Sequence, residues 1–422
     1  MKHRYRVLFF LFFLSIITFA DRVCLSVAGK DMQKSLNLSP QQWGWVLGAF
    51  AIAYGLFEIP TGILADKKGP RRVLTRIVVW WSIFTSLTGA VTSYGQLLIT
   101  RFLFGAGEAG AFPGCSATVS RWFPADERAR AMGIVKMARC IGTAATPLLV
   151  IPLLVTWGWR SCFFVFGIVG IVWAVAWHGW FRDNPSEKNG VSAEEIAEIG
   201  SVSGGKTHHA LPWRKAMKRP NFWLILVMYH TYCWGAYFYF SWLFVFLENG
   251  RDFSKNDLFT LSWLPFVVGA FANLLGGFTS DALVKRIGLK WGRRLVGLCG
   301  MAVSALFLGA TMFTDDKVWT IVFLALGFAG SDFMLPVAWA VCLDIGNEYA
   351  GAMTGAMNMA GQAGSFLTSV VFGYLVQAYG TYNAPLLPMA ILTGVSALLW
   401  LKIDPTKPLV PEAAEAPVLA PS

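Results

Sequence analysis

Gly62-Ile63-Leu64-Ala65-Asp66-Lys67-Lys68-Gly69-Pro70-Arg71-Arg72 closes one long apolar run and opens the next. Glycine lets two helices approach closely. The aspartate stands at a helix end beside a neighbouring helix, and the arginines stay in water. A stretched copy returns as Gly277-Phe278-Thr279-Ser280-Asp281 followed by Gly292-Arg293-Arg294. Asp281 lies 215 residues after Asp66, and the apolar runs that begin at Arg6 and Asn221 are offset by the same amount. The chain is therefore expected to be a tandem repeat. Gly62, Asp66, Gly69, Arg71, Arg72 and Asp281 are candidates for a latch that holds one conformational state.

Outward from this motif, apolar runs fill the chain. Of 422 residues, 55% are hydrophobic and only 14% are charged, against about 25% charged in a soluble domain. At roughly 20 residues per membrane-crossing helix, twelve spans are expected, at 7–29, 43–65, 77–95, 97–119, 130–154, 161–181, 221–247, 258–283, 295–313, 318–343, 351–377 and 383–402. The first has a basic start but no small-residue cleavage site, so it is read as a retained helix. Six spans (1–181) precede a polar linker (182–220) with an acidic helical piece at Glu194, Glu195 and Glu198. Six more (221–404) follow it, and a Pro- and Ala-rich tail (405–422) is expected to be disordered. The fold expected is all-α and membrane-embedded.

The net charge of +11 is distributed as a topology signal. With a cytoplasmic N-terminus, most lysines and arginines fall on the cytoplasmic side, which places both termini inside. Nucleic-acid binding is not needed to explain the charge. The seven cysteines (Cys24, Cys115, Cys140, Cys162, Cys233, Cys299, Cys342) sit in apolar spans without a CxxC pair and read as packing residues. His208-His209 lacks a partner at ligand spacing. Zinc-type and GxSxG patterns are absent, so an enzyme has no nucleophile or metal set to work with. The linker and tail are too short for a soluble signalling domain.

Inside the spans, charged side chains are costly and mark function. Asp21-Arg22 interrupts span 1. A guanidinium stays charged at any workable pH and can grip a carboxylate with two parallel bonds, so Arg22 is a candidate for binding an anion. Arg101 and Glu108 lie seven residues apart in span 4, two helical turns, on one face. A carboxyl group in a low-dielectric cavity keeps its proton unless a cation stands beside it. Repeat-built transporters hold substrate between their halves near the midplane.

The 62–72 motif, the chain length and two sets of six spans resemble the major facilitator superfamily. Asp21-Arg22, Arg101 and Gly105-Ala106-Gly107-Glu108-Ala109-Gly110-Ala111-Phe112-Pro113 resemble, within it, the anion:cation symporter family of bacterial sugar-acid/proton symporters and sialin-type organic-anion carriers. The resemblance runs to about residue 404. It implies twelve transmembrane helices in two pseudo-symmetric six-helix bundles, and a monomer in a bilayer, bacterially the inner membrane. It also implies alternating-access symport of protons with an organic anion such as a hexonate or hexuronate, with no cofactor beyond the coupling proton. An uncoupled exchanger or facilitator for dicarboxylate or aromatic acids is the alternative. By the same resemblance Arg22, Tyr54 and Asn358 contact substrate, Asp21 and Glu108 carry protons, and Arg101 tunes them.

Three residues depart from that pattern. Glu58 stands where these carriers have glutamine. Arg139 stands where the sugar-acid carriers place a substrate-touching glutamine. Asp332 is an additional intramembrane carboxylate. Either Arg139 faces the cavity as a second cation, favouring a dicarboxylate or bulkier acid, or it neutralises Glu58 or Asp332. Tyr239, in an aromatic stretch of span 7, and Trp339 are candidates either for cavity walls that stack on substrate or for packing.

Overall fold

In the computed structural model, residues 2–199, 212–346 and 349–409 are described. They form helices and connecting turns, with no strand among the described residues. The helices are α1 (His3–Val27), α2 (Gly29–Leu36), α3 (Pro40–Lys68), α4 (Pro70–Ala90), α5 (Tyr94–Glu108), α6 (Ala111–Trp122), α7 (Ala125–Trp157), α8 (Trp159–Trp180) and α9 (Ala193–Ile199). They continue with α10 (Trp213–Ala216), α11 (Pro220–Ser241), α12 (Leu243–Gly250), α13 (Lys255–Leu261), α14 (Leu264–Ile287), α15 (Leu289–Ala310), α16 (Lys317–Gly346), α17 (Ala350–Tyr379) and α18 (Leu386–Trp400). Every segment expected to span a membrane is helical.

Among the described residues, eight helical stretches are long and apolar enough to cross a bilayer. Four expected spans are not among these eight. Span 4 is divided at Ala109-Gly110 into α5 and α6, and span 7 at Trp242 into α11 and α12. α18 is only 15 residues long. Part of the 29-residue α3 lies outside the described residues.

Packing follows the repeat. In the N-terminal half α1 lies against α7, α4 against α8, and α3 against α5; in the C-terminal half α14 lies against α16, α15 against α16 and α18, and α11 against α17. The halves meet chiefly along α3–α17, with a smaller seam at α7–α14. Gly44 makes the first seam possible. A Cβ there would stand 2.6 Å from the Ser369 carbonyl oxygen of α17, so any side chain would push the helices apart.

The apolar core has three parts. One cluster, at the end of the helices away from the chain termini, joins both halves. It runs through Val23, Trp43 and Ile151 on one side and Phe238, Trp242 and Phe372 on the other. The terminus-side ends pack as two separate clusters, one built on Leu11, Trp81 and Trp177 and one on Met228, Val337 and Trp400.

The linker docks on its own half. Both Glu195 oxygens accept the free backbone N–H groups of His3 and Arg4, at 3.0 and 2.9 Å. A carboxylate at a helix N-terminus satisfies orphan donors and meets the positive end of the dipole. Ser201–Gly205, His208, His209 and the tail beyond Leu409 lie outside the described residues.

The turn motif is only partly described. The side chains of Gly62 and Asp66 lie outside the described residues. Gly69 has φ +81°, and a Cβ there would collide with the Asp183 carboxylate. That carboxylate accepts the Arg71 backbone N–H at 2.8 Å, while the Arg71 guanidinium donates to the His178 carbonyl at the end of α8. Arg72 is exposed. In the second copy Arg293 reaches Asp281 at 3.1 Å and Asp344 at 3.2 Å, tying α14, α15 and α16 together.

Candidate functional site

About three-quarters of the way along α1, Asp21 and Arg22 point in different directions, as consecutive helical residues must. Arg22 turns toward α5, where its Nε donates to Glu108 Oε1 at 2.6 Å. Glu108 is the last residue of α5, because the helix breaks before Ala111. An acid at that end faces the negative pole of the helix dipole, so it depends on the arginine. The carboxylate is fully buried, whereas the Arg22 side chain keeps 14% exposure. The cation, not the acid, reaches open space.

Aromatic rings hold Arg22. Its guanidinium lies 4.9 Å from the Phe19 ring centre, 4.9 Å from Phe50 and 4.7 Å from Tyr54. Phe50 and Tyr54 are one helical turn apart on α3. Arg101 is buried behind them, 4.3 Å from the Phe104 ring centre and 5.4 Å from Phe50. Asp21 is buried with Glu108 and Arg101 as its charged neighbours. Neither Asp21 oxygen nor Glu108 Oε2 has a hydrogen bond of good geometry among the described residues, although the Trp81 indole N–H, which has no other acceptor there, stands beside Asp21. Buried polar atoms are nearly always bonded, so three carboxylate oxygens without such a bond in one place set this region apart from the rest of the core.

A second group of charges spans the seam between the halves. Arg139 Nη2 on α7 donates to Asp332 Oδ2 on α16 at 3.3 Å. The Arg139 guanidinium lies 5.8 Å from Phe19 and 5.9 Å from Phe240. One turn from it, Lys136 lies 3.9 Å from the Trp339 ring centre. Glu58 of α3 accepts both bonds from the Asn358 amide of α17, at 2.8 and 2.6 Å. Glu58 and Asn358 therefore pair with each other across the seam.

The expected residues thus gather into one central region, with one correction. Tyr239 does not wall a cavity. It is 1% exposed, its ring packs 4.6 Å from Phe328, and its hydroxyl abuts Gly327. It belongs to the sealed core because α11 turns that face toward α15 and α16. Sequence reasoning missed the ring cage of Phe19, Phe50 and Phe240, and the role of Lys136 against Trp339. The spacing Phe19-x-x-Arg22 was the available signal, since it places ring and guanidinium on one helical face. His230 also went unnoticed; its Nδ1 meets the Ala360 carbonyl at 3.0 Å, joining α11 to α17.

The sequence pattern of the Major Facilitator Superfamily matches residues 11–369 and 283–421. The chain is 35% identical over 409 residues to a probable sulfoacetate transporter, SauU, of Cupriavidus necator, covering 96% of this chain and 95% of that protein. It is 30% identical over 420 residues to the probable galactarate/D-glucarate transporter GarP of Escherichia coli K12, covering 94% and 92%. Among solved structures, an inward-facing, occupied bacterial homologue of the human lysosomal transporter Spinster superimposes with a TM-score of 0.79 at 19% identity, covering 95% and 96%. A D-xylose–proton symporter does so with a TM-score of 0.73 at 14% identity, covering 95% and 98%. With apolar membrane-length helices, charges gathered between two packed halves and this match along its length, the chain belongs to the Major Facilitator Superfamily and is a membrane transporter, not an enzyme.

Proposed function

We propose that this protein is a secondary active symporter that carries a small organic anion together with protons. The observation that supports this most strongly is the Arg22–Glu108 pair beside the buried Asp21 carboxylate. A cation paired to a buried acid has one free partner to offer at a time. When Glu108 takes a proton, Arg22 is released to a substrate carboxylate or sulfonate. When the proton leaves, Glu108 reclaims the arginine and the anion is expelled. Asp21 serves as the neighbouring proton site, and Arg101 tunes both acids by its charge. Tyr54, against the Arg22 guanidinium, offers its hydroxyl to the substrate. Sulfoacetate, galactarate and D-glucarate, for which the relatives are named, are all small organic anions.

The transport cycle is alternating access by two six-helix bundles, with twelve spans in all and both termini in the cytoplasm of a bacterial inner membrane. The 215-residue offset between the two turn motifs and the excess of basic residues on the terminus side support that topology. The chain acts as a monomer.

The test is uptake of a labelled panel of sugar acids, sulfonates, dicarboxylates and aromatic acids into proteoliposomes, with and without an inward proton gradient. Accumulation that follows the gradient is expected for at least one acid. Glu108→Gln is expected to keep substrate exchange and lose accumulation. Uptake indifferent to the gradient would leave an exchanger or facilitator instead.

A further inference from the structure

We propose that Arg139 is a second anion-binding residue and Asp332 its exchangeable counter-ion, so that the central site is built for a dianion. This rests on the anion-transport reading above and adds the substrate's charge to it.

The two arginines hold their acids differently. Arg22 grips Glu108 at 2.6 Å, whereas Arg139 meets Asp332 through a single contact at 3.3 Å, beyond the roughly 2.7–2.9 Å of a charge-assisted bond. Asp332 is 1% exposed and its Oδ1 has no hydrogen-bond partner among the described residues, while the Arg139 side chain keeps 18% exposure. The acid is buried and half-satisfied, and the cation beside it faces open space. Such a pair is built to be parted from the cation's side.

The second arginine is also within reach of the first. Both guanidinium groups flank the same Phe19 ring, at 4.9 and 5.8 Å from its centre, so they are no more than 10.7 Å apart. A small molecule with an acid at each end bridges two such cations from the space between them. Phe240, from the opposite half, lies 6.0 Å from Phe19 and 5.9 Å from Arg139. The middle of the bridging molecule therefore has rings on both sides.

Charge balance then requires a proton. Once a substrate acid takes Arg139, Asp332 is left buried and unpaired, which is costly for a charge and cheap for a neutral acid. The charged and titratable groups around the pair are Lys136 and Cys140 on α7 and Tyr229 and Tyr232 on α11. α14 contributes the Asn273 amide, which donates to the Asp332 backbone carbonyl, and α15 contributes Ser304, bonded to Ser331. None is a cation close enough to Asp332 to replace Arg139. A proton on Asp332 neutralises the second substrate charge, as a proton on Glu108 neutralises the first. A dianion is thus carried with one more proton than a monoanion.

The experiment compares galactarate with D-galactonate, which differ by one carboxylate, using the full chain in proteoliposomes. Wild type is expected to prefer galactarate by at least about tenfold, the worth of one charge-assisted hydrogen bond. The Arg139→Gln/Asp332→Asn double variant leaves no buried acid without its cation and should bring galactarate transport down to the level of D-galactonate, and Arg139→Lys should keep part of the preference. Zero-flux measurements should give one proton more for galactarate, and Asp332→Asn should abolish that difference. A wild type without preference, or a double variant that keeps the wild-type ratio of galactarate to D-galactonate transport, overturns this inference and leaves anion symport standing. Failure of wild type to bind or carry any acid overturns both. An Arg22→Gln variant that transports normally overturns the anion site on which this one is built.

Discussion

The two ends of the molecule are held together by different means. Away from the termini, the halves share one apolar core, stitched by polar bonds that cross between them. Ser26 donates to the Ser241 carbonyl at 2.7 Å. Lys255 ties Asp31 of the N-terminal half and Glu248 of its own half at 2.7 and 2.5 Å. On the terminus side each half satisfies itself. Arg4 binds Glu127 and Glu198 within one half, and Arg293 binds Asp281 and Asp344 within the other. A transporter needs this inequality. The sealed end must hold without loose charges and still come apart, while the other end must stay folded when nothing presses on it.

The largest expected disturbance of that contrast is Gly44→Val. With a Cβ already 2.6 Å from the Ser369 carbonyl, overpacking costs about 1–3 kcal/mol or more, and only the sealed arrangement pays it. Uptake should fall at least about tenfold, and a cysteine placed at Ser26 in a cysteine-free background should become reactive to a membrane-impermeant maleimide. Normal uptake would mean that α3 and α17 separate without consequence.

Lys255→Gln comes next. It leaves Glu248, 2% exposed at its side chain, without its cation, and should open the same end by about 1–3 kcal/mol. Adding Glu248→Gln should recover most of the loss, because a neutral amide no longer needs the charge. The same labelling measurement reads both. Arg293→Gln is the control from the other end. It should lower the detergent-solubilised melting temperature by a few degrees, equivalent to about 1 kcal/mol, without altering labelling at position 26. If it altered that labelling as Lys255→Gln does, the ends would not be independent.

Acidification should give the smallest effect. Partial burial works against ionisation of Asp404, but the hydrogen bonds from Thr406 and Lys290 outweigh it and hold the carboxyl at about 2. An acid depressed in the folded state stabilises above its ordinary value near 4 and loses that contribution as pH falls from about 4 to about 2. With its Lys290 partner 42% exposed, the group contributes under about 1 kcal/mol. A thermal-melt series in which Asp404→Asn flattens this acid limb slightly is the expected result; an unchanged limb would remove Asp404 from the terminus-side anchor.

What the sequence revealed and what it withheld divide along the same physical line. Apolar length marked the helices, and the seven-residue spacing of Arg101 and Glu108 placed both on one face, because helix geometry is local. The pairing of Glu58 with Asn358, 300 residues away, is not local, nor is the choice of Asp332 over Glu58 by Arg139. Each depends on how two separately folded halves are set against one another. The choice between cavity wall and packing for Tyr239 was hidden for the same reason: its helix was evident, but the direction of its ring was fixed by Phe328, on a helix that no spacing connects to it.

The shared aromatic core at the sealed end also sets a thermal signature for turnover. Parting Phe238, Trp242 and Phe372 from Val23, Trp43 and Ile151 hydrates apolar surface, and hydrating apolar surface raises heat capacity. The step that exposes the site to the far side should therefore carry a positive activation heat capacity. An Eyring plot of its rate should curve upward in slope with temperature, as protein unfolding limbs do, while steps confined to the self-contained terminus side should plot as straight lines.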